Sequence, residues 1–301
     1  MQAELLFSII VPTYNRADSI SDTIKSALNQ TYPHLELIVV DDGSTDHTED
    51  VVKSFKDPRL FYFKKQNAER GAARNYGTVR AKGNYITFLD SDDVVYPRML
   101  EFANDTISAL TSPPFFHMGF EIKNSDHKII GKKNFVKNEN TFSITRGNYI
   151  SCIGVFVRKD VALKFQFSED ARLSGSEDWE LWLRVVANVG VKSDPRPVAC
   201  FTQHDDRSVM TASEEKLVFR KNLSFLYAFR DPKVAELYSG RKKMMESYFD
   251  LYIALHLVLA KQKKRSFFYL KNAFMNYPFV IFDRRFYAVI KHLLLTGFRQ
   301  N

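Results

Sequence analysis

The chain has two cysteines in 301 residues. Cys152 and Cys200 lie in apolar sequence and match no metal-ligand spacing, so they read as buried thiols of a reducing compartment, with no disulfide framework. It also lacks a charge-free apolar run long enough to span a bilayer. The longest are near Leu251–Ala260 and Asn272–Phe282, short of the ~18 residues required. The opening MQAELLFSIIVPTYNR has no basic residue before its apolar run, unlike a secretory signal. These absences predict a cytoplasmic protein. No Gly-rich loop follows the first apolar run. That removes the dinucleotide-binding fingerprint and counts against a nucleotidyltransferase, the alternative enzyme class.

What is present is a core and an uneven charge. Hydrophobic residues make up 45% of the sequence, enough for a large buried interior. The net charge of +8 is concentrated at one end: residues 215–301 hold 17 Lys/Arg and 6 Asp/Glu, against 26 and 29 in residues 1–214. The pattern predicts two regions divided near residue 214. The basic one is suited to an anionic surface.

Through residue 97 the pattern alternates. Apolar runs at Phe7–Val11, Leu35–Val40, Leu60–Phe63 and Tyr85–Leu89 read as strands. Between them lie helical segments. One carries Ile20, Ile24, Ala27 and Leu28 on one face after Asp18 as its cap, and another starts at Thr45 or Asp46. The third runs from Glu69 to Ala81 with Gly83 as its terminating glycine. Alternation of this kind predicts a parallel sheet flanked by helices, with ligands at the carboxyl ends of the strands. Farther on, the sequence predicts a helix near Pro97–Leu110, a strand in PFFHMGFEIK, and a hairpin around Lys123–Lys133. A strand at Gly154–Val157, a helix at Glu177–Asn188 and a strand at Val198–Thr202 follow, and from Glu215 the pattern is helical.

Three of the first four strands end in polar motifs. Asp90-Ser91-Asp92-Asp93 sets three carboxylates within four residues. Their mutual repulsion is offset by a hard divalent cation such as Mg2+ or Mn2+, or the segment is a solvated acidic turn. Asp41-Asp42-Gly43-Ser44-Thr45-Asp46 offers carboxylates to a base edge or a ribose hydroxyl, or is an ordinary strand–turn–helix junction. In Pro12-Thr13-Tyr14-Asn15-Arg16, Tyr14 is suited to stack on a base and Arg16 to meet a phosphate.

These motifs occur in order, with Gln66-Asn67 and Gly71-Ala72-Ala73-Arg74-Asn75 between the second and the acidic cluster. In this the chain resembles family 2 of the inverting glycosyltransferases, which have the GT-A fold, an α/β, Rossmann-like and mostly parallel sheet flanked by helices. The resemblance runs from about Phe7 to Ser208 and implies a GT-A domain over 1–214, with a helical C-terminal appendage over 215–301. It implies that Pro12, Tyr14 and Asp42 surround the nucleotide base, and that Arg74 lies near the base or diphosphate. Arg16, Asn67 and Ser91 join the donor site, Asp90 lies nearer the ribose, and Asp92 holds the metal. Glu177-Asp178 matches the family's acidic pair, with Asp178 as catalytic base. Such a base takes the acceptor hydroxyl's proton, and its place at a helix start favours the ionised carboxylate. His204 is a metal ligand or a surface histidine, since Thr202 stands where the family pattern has an Arg; Arg207 is suited to phosphate oxygens.

The implied reaction is transfer from a nucleoside diphosphate sugar, UDP-linked by family frequency, to a glycan or lipid-linked acceptor. The partner expected for the basic region is an anionic membrane surface, which places the protein on the inner face of the membrane. A nucleic acid is not expected, because an acidic rim repels phosphates.

Overall fold

In the computed structural model, residues 4–124, 128–133, 141–202 and 213–295 are described. They divide into two compact units: residues 1–141 with 150–205, and residues 142–149 with 206–301. The second unit therefore includes Phe142–Tyr149, which the division near 214 leaves in the first.

In the first unit the β-rich apolar runs form strands whose every residue is buried, at β1 (Phe7–Thr13) and β2 (Leu35–Asp41). β3 (Leu60–Lys64) and β4 (Tyr85–Phe88) complete a parallel group. The helices between them are α1 (Ile20–Leu28), α2 (Thr48–Ser54) and α3 (Glu69–Arg80). Ile20, Ile24, Ala27 and Leu28 form the buried face of α1, as their spacing predicts.

The later strands change the character of the sheet. β5 (Val94–Val95), β6 (Phe115–Lys123), β7 (Ile129–Lys133), β8 (Val155–Arg158) and β9 (Lys192–Thr202) join it in the order β3-β2-β1-β4-β8-β6-β9-β5, with β7 beside β6. β8 runs antiparallel to β4 and β6, β9 runs parallel to β6, and β5 runs antiparallel to β9. The sheet is thus mixed, and its parallel group forms one side. Helices α4 (Met99–Ala109), α5 (Lys159–Lys164) and α6 (Glu177–Val189) accompany this half. Trp182 of α6 is 1% exposed and stacks on Phe115 with ring centroids 5.3 Å apart. Removing such a side chain costs about 3–5 kcal/mol.

Three local expectations are corrected. Ser19, not Asp18, occupies the N-cap of α1. Asp46 stands two residues ahead of α2, where it accepts from the Thr48 amide at 3.0 Å. Gly83 does not end α3; Ala81 turns to an extended conformation there. Gly83 is required for close approach, since a Cβ on it would sit 2.6 Å from the Ser8 amide nitrogen.

The second unit is built on α9 (Lys242–Leu259), with α7 (Glu214–Ala228), α8 (Pro232–Tyr238), α10 (Lys263–Asn276) and α11 (Arg284–Leu295). Leu251, Ala254, Leu257 and Val258 of α9 form its core with Leu270, Ala273, Val280 and Val289. Asp231 caps α8 through the Lys233 amide, with Pro232 in the first turn. Among the described residues no helix is long and apolar enough to cross a membrane.

Candidate functional site

The rim at the carboxyl ends of β1 and β2 is a pair of loops tied to each other. Asn15 takes a left-handed conformation, φ 50°. Its amide donates to Ser44 Oγ at 2.9 Å, and its Oδ1 accepts from the Thr45 amide at 2.9 Å. The Arg16 amide donates to Thr48 Oγ1 at 2.8 Å. Tyr14 is left 48% exposed on this platform, able to offer a ring face. Pro12 is buried in β1. Its missing amide costs nothing on the β4 side, because the β1–β4 pairing ends at Ile10 and Phe88.

The two neighbouring aspartates do different things. Asp41 is fully buried and holds the turn: it accepts from the Ser44 amide at 2.7 Å and the Tyr62 hydroxyl at 2.6 Å. Burial, with Asp41 beside it, pushes the Tyr62 phenol well above its ordinary range. Asp42 accepts from Lys65 Nζ at 2.7 Å and the Ala68 amide at 3.0 Å. Gly43, at φ +87°, turns the chain between Asp42 and Ser44, and a Cβ there would press on the Asn67 amide at 3.1 Å. Asn67 itself is exposed.

Beyond β4 the acidic cluster finds cations within the protein. Asp90 Oδ1 accepts from Arg74 NH2 at 2.7 Å, and Asp92 lies 3.8 Å from Arg16 NH2. The repulsion that predicts a metal from sequence is therefore partly offset by guanidinium groups. Ser91 and Asp93 are buried, and their carbonyls accept from Ser19 Oγ and Thr23 Oγ1. Among the described residues no three His, Cys, Asp or Glu side chains are grouped to hold a metal. His204 and Arg207 lie outside the described residues.

Arg74 connects this cluster to α6. It is 1% exposed, and its second terminal nitrogen donates to Glu177 Oε1 at 3.0 Å. The guanidinium lies 5.1 Å over the Phe167 ring, and Asp90 and Glu177 keep it protonated despite full burial. Glu177 Oε2 accepts from the Gly175 amide at 2.6 Å, and Arg70 Nε stands 3.5 Å from Oε1. Burial alone would raise the Glu177 carboxyl, but Arg70 and Arg74 hold it below its ordinary value. A carboxylate engaged at both oxygens by cations and an amide is a poor proton acceptor. Of the acidic pair, Glu177 is thus the buried, ion-paired member at the start of α6. Asp178, the next residue, is partly exposed, and its Oδ1 accepts from the Trp179 amide at 2.8 Å. Cys152 is buried nearby, and burial raises its thiol well above the ordinary range although Arg74 opposes the shift.

Two residues of this charged rim, Arg70 and Lys65, do not stand out from the motifs. Arg70 had a signal: in Arg70-Gly71-Ala72-Ala73-Arg74 the two arginines stand four apart, on one helical face. Lys65 had none, because its partner Asp42 lies on a different strand end.

A mixed sheet of this order, with charged loops gathered at the carboxyl ends of its parallel strands, is the architecture of a GT-A fold. The family model of glycosyl transferase family 2 matches residues 8–161, and the chain belongs to that family. It is 30% identical over 218 residues to an uncharacterized glycosyltransferase of Rickettsia typhi, covering 69% of this chain and 67% of that one. It is 33% identical over 189 residues to the UDP-Glc:alpha-D-GlcNAc-diphosphoundecaprenol beta-1,3-glucosyltransferase WfaP of Escherichia coli, covering 62% and 72%. In an uncharacterized Rickettsia felis glycosyltransferase, 32% identical, the match spans 31% of that protein's length. The crystal structure of S. aureus TarS 1-349 in complex with UDP-GlcNAc is similar in fold, with a TM-score of 0.57 at 17% identity over 91% of this chain and 89% of that one.

Proposed function

We propose that this enzyme transfers a sugar from a UDP-linked donor to a hydroxyl of a lipid-linked or growing glycan acceptor, in one displacement that inverts the anomeric centre. The observation that carries the reading is the ion-paired path Asp90–Arg74–Glu177, in which Arg74 and Glu177 are buried. It ties the donor-side acidic loop to the helix start that presents Asp178. Tyr14 stacks on the base, Asp42 and Asn67 line the base side, and Arg16 faces the diphosphate. Asp178 removes the acceptor hydroxyl proton as that oxygen bonds to the anomeric carbon; the bond from that carbon to the diphosphate oxygen breaks, and UDP departs with the electron pair. The E. coli relative's name states a UDP-Glc donor and an undecaprenol-linked acceptor. Those substrates support the donor and acceptor classes proposed for this chain.

A divalent metal fits the donor set. Asp92 is a partly exposed carboxylate paired only loosely with Arg16, and Mg2+ or Mn2+ binds through one or two carboxylates when phosphates supply the other oxygens. Asp92 would hold it, with Asp90 beside it and His204 as a second candidate ligand. When bound, the ion would neutralise charge on the departing diphosphate.

A thermal-shift panel tests this reading. UDP with Mn2+ should stabilise the protein more than UDP alone, and more than GDP or dTDP with Mn2+. Equal response to all three nucleotides, or to none, overturns the donor assignment. Asp92→Asn should remove the Mn2+-dependent part of the UDP response, and its persistence would contradict the metal assignment.

A further inference from the structure

In the second unit, α10 buries Ser266, Tyr269, Leu270 and Ala273. Its other face carries Phe267, Phe274 and Met275, which are 58%, 44% and 67% exposed. Lys264 and Lys271 stand seven residues apart on that same face, both exposed. The short 3-10 turn Pro278–Phe282 that follows buries Val280 and leaves Phe279 and Phe282 60% and 77% exposed. Their rings are 6.3 Å apart. On α11, Arg284, Tyr287, Lys291 and Leu294 recur along one exposed face. Phe274 and Phe286, 6.5 Å apart, join α10 to α11. The exposed aromatic and aliphatic groups thus cluster around one corner of the unit, more densely than single scattered surface residues would.

The charge at this corner is of one sign. Residues 263–295 hold seven Lys/Arg and one acid, Asp283. Arg265 is engaged by Glu214 and Arg285 by Asp283. Lys263, Lys264, Lys271, Arg284 and Lys291 have no ion-pair partner among the described residues. We propose that this corner is a docking surface for an anionic phospholipid bilayer. Phe279 and Phe282 would enter the interface, and Lys264, Lys271, Arg284 and Lys291 would meet the headgroups. Helices of 14 and 12 residues extend about 20 Å, too short to cross the ~30 Å core, so they lie in the interface. A second copy of the chain is the poorer occupant, because it would bring the same unpaired cations against themselves. The proposal is independent of the transfer chemistry.

Flotation of the full-length protein tests it with no donor present. The protein should float with phosphatidylcholine–phosphatidylglycerol vesicles at low salt, stay behind with pure phosphatidylcholine, and release as salt rises. Lys271→Gln with Lys291→Gln should weaken binding about 25-fold, at about fivefold per lost charge. Phe279→Ser with Phe282→Ser should abolish flotation while leaving the thermal midpoint unchanged, since both side chains are exposed. Failure of the wild type to float on the anionic vesicles, or flotation of both variants equal to that of the wild type, overturns the proposal. So does a wild-type dimer in sedimentation that Phe279→Ser with Phe282→Ser dissolves while flotation persists, which would assign the corner to self-association.

Discussion

In the first unit Arg74 and Glu177 meet across 103 residues of sequence, both almost fully buried. In the second, five cations of residues 263–295 stand without an ion-pair partner among the described residues. The two arrangements cost different things. A buried ion must be paired and hydrogen-bonded or it destabilises the fold, so its partner fixes where two distant segments lie. An exposed, unpaired cation costs almost nothing in water and stays available to a partner of opposite charge. The first arrangement positions groups for chemistry, and the second leaves them open for docking. The second unit is not without a buried pair of its own, since Lys221 meets Asp250 at 2.6 Å. That contact joins α7 to α9.

The contrast breaks most sharply under charge removal. Arg74→Met leaves the buried Glu177 carboxylate without the nearer of its two cations, and should cost about 3–5 kcal/mol in urea unfolding. Lys271→Met should change stability by no more than about 0.5 kcal/mol. Adding Glu177→Met to Arg74→Met should recover part of the loss, because an apolar pair of similar volume does not leave a stranded charge. If Arg74→Met unfolds no earlier than Lys271→Met, the ion-paired path is not what holds α6 against the acidic loop.

Acid separates the units at smaller energies. The folded Glu177 carboxyl lies below its ordinary 4.5. Its stability contribution is therefore complete above about pH 4.5 and falls as pH drops through the folded value. The urea midpoints of wild type and Glu177→Gln should differ by a constant amount from neutral pH to about 5, and converge below that. A gap unchanged at about pH 3 contradicts the assignment. In the second unit burial lowers the His256 pKa from 6.5, and its Nε2 is buried without a hydrogen-bond partner among the described residues. Folded His256 resists the proton that the unfolded chain takes up, so the stability it supplies is complete above about pH 6.5 and declines below it. Amide exchange in α9, corrected for intrinsic rate, should quicken between about pH 6.5 and 5, and His256→Phe should flatten that response. An identical response in the variant removes His256 as the cause.

The same division explains how much could be read without coordinates. β1 to β4 and α1 to α3 were legible because each is a local pattern: an all-apolar strand, a polar turn, an amphipathic helix. β9 was not. Val198–Thr202 reads as a strand, but the element runs from Lys192 and takes in Pro195 and Pro197, residues that locally argue against a strand. They are accommodated where the β6–β9 register shifts around Gly119. That pairing joins segments nearly eighty residues apart, as in Phe120 with Ala199, and no short motif encodes it. At the site, the carboxylates at the strand ends were legible by residue type. Their partners were not. Arg74 shows only as a basic residue on α3, and its bridge from Asp90 to Glu177 exists because the fold brings three separate segments together. The resemblance singles out Asp178 of the acidic pair, but that Glu177 is buried against Arg74 and Asp178 partly exposed shows only in the fold.

Asp178→Asn gives the most direct test of the account, measured as sugar transfer and as UDP–Mn2+ binding on the same preparation. Transfer should fall by about 10²-fold or more, while nucleotide affinity and the thermal midpoint stay at wild-type values. Transfer at the wild-type rate would contradict the assignment of Asp178 as the base, and with it the mechanism proposed for this site.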